Sequence, residues 1–338
     1  MRDDGAGLGL AFISAAAFGT SGSLAASLLA SGWSSAAAVL LRISIGAAVL
    51  TVPAVLQLRG QWSRFGRRLR SLSLYGLLAV GGGQLCYFNA VRHMSIAVAL
   101  LVEYSGTLLV VAWVWLRSGE RPTRLTLAGA VLAIAGLVPV LDLTGPQRVD
   151  AVGLAWAGAA AVGLAVYFVL SARAETGLPG TVLAWAGMGL GAVEVGAAAL
   201  VGAVPFAVSG SPVRLAGHPV SWLVPILGLS LVACAFAYLL GIAAARRLGA
   251  RLGSFVAMTE VLFATGFAWL LLGQRPTGLQ VAGGLVVLAG IALVRAGEPA
   301  APRTDLADAR AASPAQVALA GVVGPDRAAA MDAAAPGV

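Results

Sequence analysis

Long apolar stretches separated by short polar turns run along almost the whole chain, and ten of them are long enough to cross a bilayer as helices. The first five are Gly7–Leu29, Ser34–Leu58, Leu72–Val91, Ile96–Leu116 and Leu125–Leu143. After the polar break Thr144–Arg148 come Val152–Ala172, Leu178–Phe206, Trp222–Ala245, Leu252–Leu272 and Leu279–Val294. The pattern predicts an all-α polytopic membrane protein of ten transmembrane helices. From Gly297 to Val338, Ala, Pro, Asp and Arg follow no period, which is the composition of a disordered tail. The first stretch is longer than the apolar core of a secretion signal, about 7 to 15 residues, and Asp3 and Asp4 spoil the basic start that a signal needs. It is expected to be a permanent span.

The order of motifs repeats. Gly9-Leu10-Ala11-Phe12 followed by Ala15-Ala16-Ala17-Phe18-Gly19 recurs as Gly153-Leu154-Ala155-Trp156 followed by Ala159-Ala160-Ala161-Val162-Gly163. Gly119-Glu120-Arg121-Pro122-Thr123 recurs as Gly273-Gln274-Arg275-Pro276-Thr277, and each copy closes a span that carries a tryptophan, Trp115 or Trp269. Ala128-Gly129 and Ala135-Gly136 then recur as Ala282-Gly283 and Ala289-Gly290. The organisation read from this is an N-terminus at 1–6, a five-helix repeat at 7–144, a second at 149–295 and a tail at 296–338. Because five is odd, the second copy must enter the membrane from the opposite side. Arginine placement agrees: the turn after span four carries Arg117, Arg121 and Arg124, and its counterpart after span nine only Arg275. Conversely, the turn after span three has Arg92, and its counterpart after span eight has Arg246, Arg247 and Arg251. With five arginines in Arg59–Arg70 and Arg173 after span six on the same side, against Arg148 and Arg214 on the other, both termini are expected in the cytoplasm. Two inverted five-helix repeats are the expected architecture.

Composition narrows the function. The chain is 59% hydrophobic and 11% charged, against about 25% charged in soluble domains, so an aqueous enzyme is excluded. All of the net +8 comes from arginine, clustered in turns rather than interleaved with aromatics, so nucleic acid is not an expected partner. Cys86 and Cys234 lie in apolar spans without a CxxC partner, and neither a disulfide nor a metal site is expected. The chain has no lysine, hence no P-loop, and no HExxH or G-x-S-x-G. Gly19-Thr20-Ser21-Gly22 matches the G-x-S-G of intramembrane serine proteases, but His93 and His218 fall in loops. An intramembrane enzyme and a non-transporting scaffold or sensor therefore stand as alternatives to secondary transport.

Two five-span repeats, a G-E/Q-R-P-T turn closing the fourth span of each, an Ala-Gly-rich span after it and an arginine in Val39-Leu40-Leu41-Arg42 together resemble the drug/metabolite transporter superfamily, in particular its EamA-type ten-helix members. The resemblance covers about residues 7 to 295. It implies a multi-pass carrier in the plasma (inner) membrane, moving small metabolites such as amino acids or related amphipathic compounds, with a central cavity between the repeats and no cofactor. Export, a coupling proton and a monomeric or homodimeric state complete the expectation. The chain departs from the family in having Phe18-Gly19 in place of Trp-Gly. It also lacks the proline of the fourth span in both copies, at Gly106–Thr107 and Val261, so the usual cause of a helix break is missing.

Four ionisable residues fall well inside spans: Arg42, Glu103, Glu194 and Glu260. Each must face protein, pair or be neutral, since a mid-bilayer charge costs about 2.5 to 3.5 kcal/mol on insertion scales. Glu103 and Glu260, on the fourth span of each copy, are the candidates for substrate or proton binding, with Gln84, Tyr87, Tyr104 and Thr259 as polar neighbours. Ser105 and Tyr238 lie at similar depth. Arg42 is expected to be structural and paired with Glu103, and Glu194 to be a structural or solvated carboxylate in the outer half of span seven. Gly187-x-x-x-Gly191 and the Gly129/Gly136 pair read as close helix packing.

Overall fold

The computed structural model describes residues 2–94, 96–119, 121–143, 150–172 and 178–298. Arg148, Arg173, Glu120 and the tail from 299 onward lie outside the described residues. In the first copy the helices are α1 (Arg2–Ala30), α2 (Ser35–Leu58), α3 (Trp62–Leu74), α4 (Gly83–His93), α5 (Ile96–Tyr104), α6 (Gly106–Ser118) and α7 (Arg124–Val140). In the second they are α8 (Ala151–Ala172), α9 (Gly180–Leu200), α10 (Leu223–Leu227), α11 (Ala237–Ala257), α12 (Thr259–Leu272) and α13 (Gly278–Gly297). Tyr75–Gly82, between α3 and α4, and Gly228–Phe236, between α10 and α11, are wound in the wider π form. Both π stretches fall in the third span of a copy. Among the described residues, seven helices are long and apolar enough to cross a membrane, with Arg124–Val140 and Thr259–Leu272 as two shorter apolar helices. The protein is a multi-pass membrane protein.

The repeated G-x-R-P-T turn has a local explanation. Gly119 and Gly273 both take a left-handed φ of +73° to end their helices, a conformation that costs glycine nothing. The proline that follows cannot continue a helix. Thr123 and Thr277 then cap the next one, their hydroxyls accepting from the backbone N–H of Thr126 at 3.1 Å and of Gln280 at 3.2 Å. At Thr277 the Gln280 side chain returns the bond and completes a capping box.

Several spans differ from the pattern read in the sequence. Span seven ends at Leu200, and the polar residues beyond it form a loop with a hairpin, Val213–Leu215 against His218–Val220. The loop is tied to the bundle: Trp33 Nε1 donates to the Ser209 carbonyl at 2.7 Å and the Ala216 N–H to that of Leu271 at 2.8 Å. The turn expected between spans eight and nine is made at Gly249 (φ +77°). Spans four and nine each tighten at one residue, Ser105 and Met258, whose φ and ψ stay helical, without a proline in either.

α7 and α13 are the most intimate pair. A methyl group on Gly129 would stand 2.6 Å from the Gly290 carbonyl oxygen, and one on Gly136 would stand 2.7 Å from the Val287 nitrogen and 2.9 Å from the Gly283 carbonyl oxygen. Since Gly129 meets Gly290 while Gly136 meets Gly283, the two helices run antiparallel. Gly187 and Gly191 similarly admit Tyr75, Val80 and Gly81 against α9. Elsewhere α1 packs on α11 and α12, α8 on α4, α5 and α6, and α2 on α9.

Candidate functional site

The fourth span of each copy carries one candidate carboxylate, and the two lie within electrostatic reach of each other. Glu103 is the penultimate residue of α5, and Glu260 lies in the first turn of α12, just past the tightened residue Met258. Both side chains are half-buried. Glu260 is within electrostatic reach of Glu103, Tyr87, Tyr104, Tyr167, Tyr238 and Arg42, and Tyr104 hydrogen-bonds to it. Side chains of spans two, three, four, six, eight and nine thus converge on one carboxylate.

Arg42 is 8% exposed, and its Nη1 donates to Ser21 Oγ at 2.9 Å. Its Nε has no hydrogen-bond partner. The expected pairing of Arg42 with Glu103 does not form: the carboxylate that feels Arg42 is Glu260, and Glu103 is coupled to Glu260 instead. Equal depth on two spans is not proximity around the bundle. The same contact answers the protease motif, since Ser21 faces a guanidinium, which cannot act as a general base, and the neighbouring Thr20 donates to the Ala17 carbonyl at 2.7 Å.

Below the carboxylates runs an aromatic column. Phe18 and Tyr238 meet edge to face at 5.2 Å, Tyr238 and Tyr167 at 5.5 Å, and Tyr167 stacks with Tyr75 at 6.1 Å. The Tyr167 hydroxyl is buried without a partner and lies over Gly241, where any larger residue would displace it. Tyr75 reaches Ser171 Oγ at 3.4 Å. All five tyrosines of the chain belong to this column or to the carboxylate cluster. Tyr75 and Tyr167 lie within about a turn and a half of their span ends, where tyrosine is ordinary in membrane proteins, so nothing in the sequence set them apart.

The remaining candidates lie differently. Thr259 is 1% exposed and its hydroxyl donates to the Val256 carbonyl at 2.7 Å, so it is used within the tightened turn. Gln84 is half-buried one turn before Tyr87 on span three. Glu194 stands apart from the cluster, lodged against Gly81 and Gly82 of the first π stretch with Oε2 buried and unpartnered. Cys86 is half-buried and Cys234 buried, both free, and Cys234 abuts Arg42.

A profile of the EamA-like transporter family matches residues 5–141 and 151–296, one match to each copy. No curated protein matches the chain. A solved crystal structure of a protein superposes with a TM-score of 0.66 at 23% identity, covering 84% of this chain and 96% of its own, a likeness of fold.

Proposed function

The chain belongs to the EamA-like transporter family, whose members carry small molecules across membranes, and on that premise we propose that it is a proton-coupled exporter of small amphipathic, amine-bearing metabolites such as amino acids. The observation that carries the reading is that Glu103 and Glu260, on the fourth span of each copy, lie within electrostatic reach of each other and of several tyrosines, and Glu260 also of Arg42. Secondary transporters hold substrate and coupling ions near the midplane, between their repeats. Carboxylates bind an ammonium group, aromatic faces hold an apolar or cationic part, and Arg42 is placed to receive a carboxylate. Glu103 and Glu260 are the substrate and proton residues of this reading, with Tyr87 and Tyr104 beside them.

Transport proceeds by alternating access between two inverted five-helix repeats, 7–144 and 149–295. Three features support the inversion. The arginine counts of equivalent turns are exchanged. α7 and α13, the last spans of the two copies, pack antiparallel. The helix pairs also map onto each other when the copies are exchanged: span one on eight becomes span six on three, span one on nine becomes span six on four, and two on seven and five on ten map onto themselves. The reading places both termini in the cytoplasm and the chain in the plasma membrane.

The test begins by comparing metabolites in the media of cells that overproduce or lack the protein. The compound found is then followed in reconstituted vesicles. Glu260→Gln abolishes proton-driven accumulation but spares exchange if Glu260 carries the proton, and abolishes both if it binds substrate. Wild-type rates in both assays would remove Glu260 from the site.

A further inference from the structure

The start of span three carries charge that its own sequence neighbourhood does not answer. Around α3, Trp62, Phe65, Leu69 and Leu72 fall on one side, and Arg64, Arg67 and Arg68 on the other with Arg70 at the edge. Leu72 is buried and the Phe65 ring meets Trp185 at 6.1 Å, so part of the apolar side faces protein. Trp62 and Leu69, 50% and 49% exposed, are uncovered. Arg64, Arg67 and Arg70 are exposed as well. No Asp or Glu occurs between Asp4 and Glu103, and neither His93–Asp150 nor Arg251–Glu298, the ion pairs among the described residues, involves these three arginines.

Length places this helix at the membrane surface. The helical run from Trp62 to His93 is made of stretches of 13, 8 and 11 residues. At about 1.5 Å per residue it is roughly 48 Å long, against a hydrocarbon core of about 30 Å. The apolar part begins at Leu72, so the ten residues of α3 ahead of it, about 15 Å of helix, leave the hydrocarbon and pass through the headgroup layer, from which the long arginine side chains reach back. α2 ends at Leu58, three residues before Gln61 caps α3, which holds the start of α3 near the same surface. A recess bordered by Arg68, Ser71, Leu72, Leu170, Leu178 and Leu183 opens beside the polar side, with an arginine and a serine at its rim and leucines within.

We propose that α3 is a docking surface for anionic phospholipids: Arg64, Arg67 and Arg70 hold headgroup phosphates, while the exposed Leu69, one turn from Leu72, lies against the acyl boundary. A basic face opposite an exposed leucine on a helix at headgroup depth has the chemistry of a lipid surface, and a phosphodiester supplies the charge that the chain around α3 lacks.

The full-length protein in neutral detergent, mixed with equal phosphatidylglycerol and phosphatidylcholine, is examined by native mass spectrometry. Wild type is expected to retain phosphatidylglycerol preferentially, and R64Q/R67Q/R70Q to lower that preference about a hundredfold, about fivefold for each arginine. R117Q/R121Q/R124Q, which removes three arginines from another turn, is expected to keep it. An unchanged lipid ratio in the first variant overturns the proposal, as does an equal loss in the second. So does displacement of the lipid by glycerol 3-phosphate at the concentration of intact lipid, which would mark a soluble-phosphate site, or an unchanged ratio with loss of a bound acidic protein. If the first variant melts below wild type in phosphatidylcholine, the salt dependence of wild type decides: a preference that survives about 0.5 M salt overturns the proposal.

Discussion

Gly290→Ala should destabilise the protein, although alanine is the better helix former. The added methyl would lie 2.5 Å from the Ala133 nitrogen, 2.7 Å from the Gly129 carbonyl oxygen and 2.8 Å from Ala133 Cα. Ordinary contact begins at 3.4 Å, so 0.9 Å must be found, and every obstructing atom is backbone of α7. No rotamer change can supply that space; the helices must separate. Overpacking costs about 1 to 3 kcal/mol, and backbone obstruction puts this site at the upper end. Alanine regains about 1 kcal/mol of helix propensity, leaving a net loss of about 2 kcal/mol. Scaled as for soluble domains, with about 2.1 cal/mol/K of unfolding entropy per residue over roughly 290 residues, that is a fall of about 3 °C in Tm. Gly266→Ala is the control, since a methyl there meets nothing within 4 Å and only the propensity gain remains. Thermal unfolding in detergent, followed by tryptophan fluorescence, measures both. Adding Gly129→Ala to Gly290→Ala should cost less than the sum of the two, because one separation relieves both contacts. If Gly290→Ala melts at or above wild type while Gly266→Ala behaves as expected, the tight antiparallel packing of α7 on α13 is wrong.

Single cysteines at Arg64 and Ser211 should label from opposite faces, Arg64 from the cytoplasm and Ser211 from outside; labelling from the same face would remove the cytoplasmic assignment of both termini. Ser21→Ala should cost about 1.5 to 3 kcal/mol by leaving the Arg42 guanidinium without its acceptor, read as a lower Tm, and an unchanged Tm would show that Arg42 is satisfied elsewhere. Asp150 accepts from the Gly153 N–H at 2.6 Å and faces His93 at 3.0 Å, which hold its carboxyl below the usual range. A depressed carboxyl pKa contributes stability that is present above the unfolded value and lost as pH falls through the folded one, so the start of α8 should fray below about pH 4. Hydrogen exchange of the Ala151–Leu154 amides in wild type and Asp150→Ala checks this, the variant, which has no capping oxygen, being frayed already at neutral pH.

The apolar spans, the repeat and the close packing at Gly129 and Gly136 were legible for definite reasons, though not that α13 is the partner. Burial in lipid demands unbroken apolar runs, so the runs show on the chain. Gly129 and Gly136 recur as Gly283 and Gly290 because one helix surface must approach the other in both copies. Span seven was read too long because Val201, Val204 and Phe206 are apolar, and a hydropathy pattern cannot separate a helix from a loop tied over its end by Ser34 and Trp33. The tightened residues in spans four and nine were not legible, because the expected cause, a proline, is absent at both.

Close backbone approach accompanies both tightened residues, and it also explains why the site is not simply duplicated. By the spacing of the repeated turns, Gly106 and Glu260 occupy equivalent positions. In the first copy Gly106 is pressed against Ala161, where a methyl would collide with the carbonyl oxygen and stand 3.0 Å from the carbonyl carbon. In the second copy the glycine is on the other helix: a methyl on Gly19 would stand 3.1 Å from the Glu260 carbonyl oxygen and 2.8 Å from Phe263 Cβ. The two contacts differ: Gly106 meets Ala161 alone and can carry no side chain, whereas Gly19 lies nearest Phe263 and the Ala264 nitrogen, about a turn past Glu260, and the position on span nine equivalent to Gly106 carries a carboxylate. The first copy places its own carboxylate at Glu103, three residues earlier and nearly one turn away, which brings it beside Glu260 rather than opposite Arg42. Depth along a span could be counted from the sequence. The side of the helix, which decides partners, depended on which positions a touching helix leaves room for.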